Sequence, residues 1–62
     1  MKLGEKIKQV RHKRNMSREK LSREADVSLS FLFKVEKGEH VPNFDIVVRI
    51  AKALDISLDS LK

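Results

Sequence analysis

The side chains best suited to contacting a partner lie on one face of the segment Ser28–Lys37. On a helix of 3.6 residues per turn, the apolar pair Leu32 and Val35 marks the buried side of this segment. The opposite side then presents a hydroxyl, an aromatic ring and two cations: Ser30, Phe33, Lys34 and Lys37. Lysine donates to guanine O6 and N7, serine adapts to several base edges, and apolar side chains contact thymine methyl groups. This face is therefore suited to contacting base edges in the DNA major groove.

The same side chains also have ordinary explanations. Most surface lysines are solvated charges, and Lys34 and Lys37 fit that description as well as they fit base contacts. Phe33 is harder to explain, because an exposed aromatic ring on a short chain favours contact with a partner. For this ring a groove contact, a protein contact and packing at the edge of the core all stay open. Glu36 lies at the margin of the predicted buried face, where a carboxylate needs a cation, and Arg11 is one candidate.

Groups that could support catalysis or hold a metal are scattered. His12 lies in a basic run and His40 in a predicted loop, and the chain has no cysteine. The two glycines, Gly4 and Gly38, stand apart and form no phosphate-binding loop. No nucleophile, base and charge-stabilising group occur together in a catalytic arrangement. We therefore expect no enzyme activity, no metal, no cofactor and no small-molecule ligand.

Length and composition limit the fold. A chain of 62 residues forms one domain at most, and we expect that domain to span residues 1–62. With 40% hydrophobic and 37% charged residues, the composition fits a compact helical domain better than disorder or a β-sandwich. Without disulfides, so small a fold depends on helix packing or oligomerisation. The lack of cysteine suits a reducing cytoplasm, and the sequence contains neither a membrane-spanning run nor a secretory signal.

Positive charge is concentrated near the N-terminus. The formal net charge is +5, and residues 1–20 carry eight Lys and Arg against two Glu. Residues 21–38 are balanced at three charges of each sign, and residues 39–62 carry three cations against four anions. One end of the chain therefore suits a polyanion. Charge by itself fits DNA, RNA, a membrane surface or an acidic protein equally well.

Apolar periodicity and capping residues predict five short helices. Leu3, Ile7 and Val10 form a single apolar stripe on the first of them. Good N-cap residues precede the second, third and fourth helices: Ser17, Ser28 and Asn43. Gly38 suits the left-handed position just past the end of the third helix. The first, fourth and fifth helices are predicted over 3–14, 44–54 and 57–61, with the second and third within 17–37.

The connection between the second and third helices is unusually short. Only Asp26 and Val27 separate the predicted buried residue Ala25 from the N-cap Ser28. Two amphipathic helices joined so tightly cross at a steep angle, which is helix-turn-helix geometry. The second helix of such a pair can lie in a DNA major groove.

The sequence resembles the phage Cro and cI repressors, the xenobiotic-response-element type of helix-turn-helix. The resemblance rests on LGEKIKQVRHKRNMSREKLS, then DVSLSFLFKVEKG, then PNFDIVVRIAKALDISLDSL, and so covers nearly the whole chain. No one of these elements is specific, but the set is. The resemblance implies an all-α, compact five-helix bundle of the phage-repressor DNA-binding type, with helices two and three as the DNA-binding pair.

The resemblance also implies roles for particular residues. It places four side chains at or beside base-reading positions: Leu29, Ser30, Phe33 and Lys34. It places four others on the phosphate side: Arg18, Ser28, Lys37 and His40. It further supports Arg11 and Glu36 as a structural ion pair between helices one and three.

Several positions depart from the usual family pattern. Asp26 stands where the turn usually has glycine, and aspartate is one of the few residues that tolerate left-handed geometry. Ser22 replaces alanine at a close approach between helices, and Arg18 stands where glutamine is common. Leu29 and Phe33 stand where polar base-reading residues are often found. An apolar face of this kind favours contact with thymine methyl groups or recognition of DNA shape.

These features together predict a sequence-specific, double-stranded DNA-binding transcriptional regulator, a repressor that binds its operator as a homodimer. Two half-sites about 34 Å apart would explain how so small a module reaches useful affinity. Ile56, Leu58 and Leu61 are candidates for the dimer surface, although they could equally close the core. An antitoxin that binds both DNA and a toxin protein is the alternative, and a purely protein-binding helical module is a third possibility.

Overall fold

The computed structural model describes residues 3–61, and its regular elements are all helical. The helices are α1 (Leu3–Lys13), α2 (Arg18–Ala25), α3 (Leu29–Lys37) and α4 (Phe44–Ala53), followed by a 3-10 turn, Leu58–Leu61. Residues 1, 2 and 62 of the predicted domain, including Lys2 of the basic N-terminal region, lie outside the described residues.

The prediction of a five-helix bundle is wrong, because residues 3–61 form four α-helices. The last predicted helix is a 3-10 segment of four residues, and Ser60 N–H donates to the Ser57 carbonyl oxygen at 3.1 Å. Short segments of this kind commonly adopt i→i+3 hydrogen bonding instead of α-helical bonding. The segment is held by packing, since Leu61 is 4% exposed and belongs to the core.

The predicted helix caps are confirmed. The side chains of Ser17, Ser28 and Asn43 each accept a hydrogen bond from the backbone N–H three residues later, at 3.1, 3.0 and 2.9 Å. These bonds satisfy N–H groups that have no partner within the helix. Gly38, with φ of +82°, ends α3 in the left-handed conformation expected of it.

The turn between α2 and α3 has the predicted left-handed residue. Asp26 adopts φ 57° and ψ 49°, and its N–H donates to the Arg23 carbonyl oxygen at 3.3 Å. Val27 N–H then donates to the Ser22 carbonyl oxygen at 3.0 Å, which completes the helix end. Arg49 of α4 approaches from outside, with Nη2 3.5 Å from the Asp26 carbonyl oxygen. The short connection therefore forms with aspartate at this position, although glycine would adopt the same left-handed backbone conformation with less strain.

The core lies where the four helices meet, and it includes the predicted inward residues Ile7 of α1 and Leu32 and Val35 of α3. α3 packs against both α1 and α2, while α4 packs against α2 and the 3-10 turn. The fully or almost fully buried side chains are Ile7, Leu21, Ala25, Leu32, Val35, Ile50, Ala51, Leu54 and Leu61. Because α3 contributes Leu32 and Val35 inward, its opposite face is left for solvent or a partner.

A close approach between α1 and α3 depends on Gly4. A Cβ atom at this position would overlap the Val35 carbonyl oxygen and lie 3.0 Å from the Glu36 Cα atom. The sequence indicates only that Gly4 forms no phosphate-binding loop, and this packing role becomes visible in the folded protein. Its absence of a side chain lets α1 lie directly against the backbone of α3.

In residues 3–61, all the helices are too short or too polar to serve as a membrane span.

Candidate nucleic-acid interface

The outward face of α3 and the start of α2 border one open cleft of about 580 Å³. Seven residues line it: Arg11, Ser17, Arg18, Glu19, Leu29, Ser30 and Phe33. Ser17, the N-cap of α2, and Leu29, the first residue of α3, both lie at this surface, so the positive N-terminal ends of the two helices are close to it. The cleft therefore combines cationic, hydroxyl and apolar groups on one side of the helix-turn-helix pair.

The four residues predicted to contact bases are all exposed on α3. Leu29 is 43% exposed and Phe33 is 42% exposed, so two large apolar side chains lie at the surface of this face. Ser30 is exposed beside them at the cleft, whereas Lys34 is exposed but does not line it. Among residues 3–61, no ion pair involves the Lys34 ammonium group. This cation is therefore available to an acceptor outside the chain.

The predicted phosphate-side residues occupy different surroundings. Ser28 caps α3, and its hydroxyl oxygen accepts from Phe31 N–H at 3.0 Å, which leaves the hydroxyl hydrogen free to be donated. His40 lies in the loop after α3 and packs edge-on against the Phe31 ring, with centroids 4.7 Å apart and planes at 66°. Because Phe31 lies in the first turn of α3, this contact gives the histidine a defined place against that helix.

A buried ion pair joins α1 to α3. Arg11 Nε donates to Glu36 Oε2 at 2.8 Å, and Arg11 Nη2 donates to Glu36 Oε1 at 3.1 Å. The two side chains are 6% and 4% exposed. Arg11 Nη1 also donates to the Met16 carbonyl oxygen at 2.9 Å. A two-pronged pair of this kind fixes orientation as well as charge, so it sets the position of α3 relative to the body.

Arg18 reaches the same carboxylate from α2. Its Nε lies 3.3 Å from Glu36 Oε1, and its guanidinium carbon lies 4.9 Å from the centroid of the Phe33 ring. The Lys37 ammonium lies 5.0 Å from the same ring centroid and 3.1 Å from Glu39 Oε2. Neither the Arg18–Glu36 contact nor the Phe33–cation contacts were predicted from the sequence. The four-residue spacing of Phe33 and Lys37 is a sequence signal for one of them.

The residues proposed as a dimer surface lie mostly in or against the core. Leu61 is buried, and Ile56 and Leu58 are partly buried against it. Larger apolar exposure occurs elsewhere, at Val41 (83%) and Phe44 (71%). A shallow groove of about 230 Å³ includes Phe44 and is lined by Leu3, Pro42, Phe44, Val47, Leu58 and Leu61.

Within the described part of the chain, no three His, Cys, Asp or Glu side chains come close enough together to hold a metal ion.

Comparison with known proteins gives related regulators. A cryptic phage CTXphi transcriptional repressor, RstR, from Vibrio cholerae serotype O1 (strain ATCC 39315 / El Tor Inaba N16961) is 36% identical over 61 residues. That match covers 98% of this chain and 54% of the repressor, so the chain spans about half of that relative's length. Control protein C.BamHI from Bacillus amyloliquefaciens is 37% identical over 54 residues, covering 86% of this chain and 67% of that protein.

The fold is also similar to a solved structure. The crystal structure of the restriction-modification controller protein C.AhdI from Aeromonas hydrophila superposes with a TM-score of 0.94 at 25% identity. The superposition covers 97% of this chain and 91% of the controller protein. The family model HTH_3, described as helix-turn-helix, matches residues 7–61. Because this match includes all but the first turn of the described fold, the chain belongs to the helix-turn-helix family.

Proposed function

We propose that this chain is a transcriptional regulator that binds double-stranded DNA by placing α3 in the major groove. The observation that carries the proposal is the outward face of α3. It exposes Leu29, Phe33 and Lys34 while the Arg11–Glu36 pair fixes the helix to the body. Membership of the helix-turn-helix family supports the same conclusion, as do relatives named as a transcriptional repressor and a control protein. A helix held rigidly at its base can present side chains to base edges in a defined register.

The proposed contacts divide into two sets. Base edges would meet the first turn of α3 and the middle of its exposed face, at Leu29, Ser30 and Lys34, with Phe33 beside them. Phosphates would meet the start of α2, the N-cap of α3 and the end of α3: Arg18, Ser28, Lys37 and His40. The positive charge in residues 1–20 supports this division, since it adds sequence-independent attraction to the phosphate backbone.

We further propose that residues 1–62 act as one helix-turn-helix domain in the cytoplasm, without catalytic activity. Repression would follow from occupying an operator and excluding other proteins from it. The printed description of RstR as a repressor supports this direction of regulation.

We propose that the operator-bound form is a homodimer whose copies meet at the groove beside Phe44. The six residues lining this groove are all uncharged, and Phe44 is 71% exposed. Five of the six lining residues belong to residues 39–62, which carry three cations against four anions, so little charge repulsion opposes two copies that meet here. A two-fold arrangement would also match two operator half-sites.

The experiment that tests DNA binding is titration of a labelled random-sequence duplex at low salt, followed by selection of bound sites from a random pool. We expect binding at micromolar protein, a linear fall of log K with log salt, and a selected site with two-fold symmetry. A Lys52→Ala variant serves as a control and should bind as the wild-type chain does, because Lys52 is an exposed cation on α4 that does not line the cleft. Failure to bind any duplex at micromolar protein would refute the proposed function.

A further inference from the structure

Phe33 occupies a central position among the cations of the proposed interface. Its ring lies 4.9 Å from the guanidinium carbon of Arg18 and 5.0 Å from the ammonium nitrogen of Lys37. Both distances are within the range in which the ring quadrupole attracts a cation. Arg18 belongs to α2 and Lys37 to the last turn of α3, so one ring contacts cations from both helices of the pair.

Arg18 keeps most of its binding capacity in this arrangement. Its contact with Glu36 uses Nε, at 3.3 Å, while the two terminal nitrogens carry four of the five guanidinium N–H donors. The Glu36 carboxylate already accepts two hydrogen bonds from Arg11. One carboxylate therefore lies between two guanidinium groups, and the local charge stays positive. Arg18 is 37% exposed, so its terminal nitrogens remain accessible to an anion.

Lys37 is also held by the Phe33 ring, and its ion pair with Glu39 can be exchanged for another anion. Its ion pair with Glu39 joins side chains that are 50% and 54% exposed. Surface pairs of this kind contribute little free energy, and an incoming phosphate can replace the carboxylate. Contact with the Phe33 ring persists through such an exchange, because the ring attracts the ammonium group whichever anion faces it.

We propose that Phe33 is a positioning residue, whose ring holds Arg18 and Lys37 in place to contact DNA phosphates. The inference rests on the proposed DNA-binding function and adds a role for this side chain that is independent of base sequence. Long cationic side chains lose rotamer freedom when they bind, and a side chain that is already ordered loses less. The ring on α3 thus prepares both cations before DNA arrives.

The proposal predicts a different pattern from a direct base contact. If Phe33 acts through Arg18 and Lys37, its removal weakens binding to every duplex alike and makes the salt dependence shallower. If it touches a thymine methyl group instead, its removal weakens binding to the preferred site and leaves random DNA unaffected.

The test compares Phe33→Leu with Phe33→Tyr on a random-sequence duplex over a series of salt concentrations. Leucine keeps an apolar side chain that can still meet a methyl group, but it has no aromatic face. We expect Phe33→Leu to bind about 2- to 5-fold more weakly for each released cation, or about 4- to 25-fold in total. Phe33→Tyr should restore wild-type affinity and salt slope, because its ring retains the quadrupole.

A second arm establishes that the effect passes through the two cations. In a chain carrying both Arg18→Ala and Lys37→Ala, the further change Phe33→Leu should cost no additional affinity for random DNA. The same fractional loss in both backgrounds would overturn the proposal, as would a Phe33→Leu loss restricted to the selected site. Circular dichroism of each variant establishes that the helices are intact.

A measurement on the chain without DNA separates this inference from the proposed function. In the NMR spectrum, the side-chain protons of Arg18 and Lys37 next to their charged groups should show upfield ring-current shifts that Phe33→Leu abolishes. Absence of these shifts in the wild-type chain would overturn the positioning role even if the protein binds DNA. Shifts in a chain that binds no duplex would show an ordered cluster but overturn its assignment to phosphates.

Discussion

The buried pair of Arg11 and Glu36 is expected to be the most sensitive point of the fold, and Glu36→Gln tests it. In the native protein Glu36 accepts from Arg11 at 2.8 and 3.1 Å and lies 3.3 Å from Arg18 Nε. Glutamine has nearly the same size, but it has one acceptor oxygen and an NH₂ group that would face guanidinium donors. The substitution therefore leaves the Arg11 charge buried without a counter-charge.

The expected loss is about 3–5 kcal/mol of unfolding free energy, the usual cost of removing one partner of a buried pair. Both native side chains are almost fully buried, at 6% and 4% exposed, so water cannot readily take the place of the carboxylate. For 62 residues, a total stability of about 3–9 kcal/mol is typical. Glu36→Gln should therefore remove a large share of the unfolding free energy. If the wild-type chain has only about 3 kcal/mol, the variant would be unfolded.

The assay is urea unfolding followed by far-ultraviolet circular dichroism, at low and at high salt. The matched control is the double variant Arg11→Met with Glu36→Leu, which removes both charges and keeps apolar volume. We expect it to be much more stable than Glu36→Gln, because replacing a whole buried pair is often neutral or stabilising. The loss in the single variant should change little with salt, since a buried pair is weakly screened.

Two results would refute this reasoning. A Glu36→Gln variant within about 1 kcal/mol of the wild-type chain would show that Arg11 finds another partner or reaches water. A double variant as unstable as the single one would show that packing or helix geometry, and not an unpaired buried charge, determines the loss.

Three further predictions concern the turn, the reading face and the proposed dimer. Asp26→Gly should raise the unfolding free energy by about 0.5–1 kcal/mol in urea titrations, because φ 57° strains a residue with a Cβ; a lower value would contradict this. Lys34→Ala should weaken binding to a selected operator by about 1–3 kcal/mol and relax one base position, whereas an equal loss on random DNA would make Lys34 a phosphate contact. Phe44→Ser should shift sedimentation towards monomer without loss of helical content, and an unchanged dimer would place the interface elsewhere.

Local features of this protein follow directly from its sequence. Ser17, Ser28 and Asn43 cap helices where their spacing predicts them, and Asp26 and Gly38 end helices in left-handed conformations. Such features depend on hydrogen bonds within about four residues, so short-range sequence contains the information needed. The apolar stripes are equally local, since periodicity alone selects the inward face of each helix.

The number of helices was not predicted correctly, because the last segment is decided by its surroundings. Ser57, a residue type suited to begin a helix, precedes Leu58–Leu61, and the segment has apolar positions. Its four residues nevertheless form too few internal hydrogen bonds to define an α-helix. Its conformation is set by the burial of Leu61 among side chains that are distant in sequence.

In the candidate interface, too, some features follow from local sequence and others from tertiary packing. The exposed face of α3, with Phe33 and Lys34 outward, can be derived from a helical projection of the sequence. That Arg18 reaches both Glu36 and the Phe33 ring depends on how α2 crosses α3. The close approach permitted by Gly4 depends likewise on where α1 meets α3. The sequence by itself determined caps, turns and faces through contacts along one helix, and the tertiary structure decided which charges and rings meet, because those distances exist only after the helices have packed.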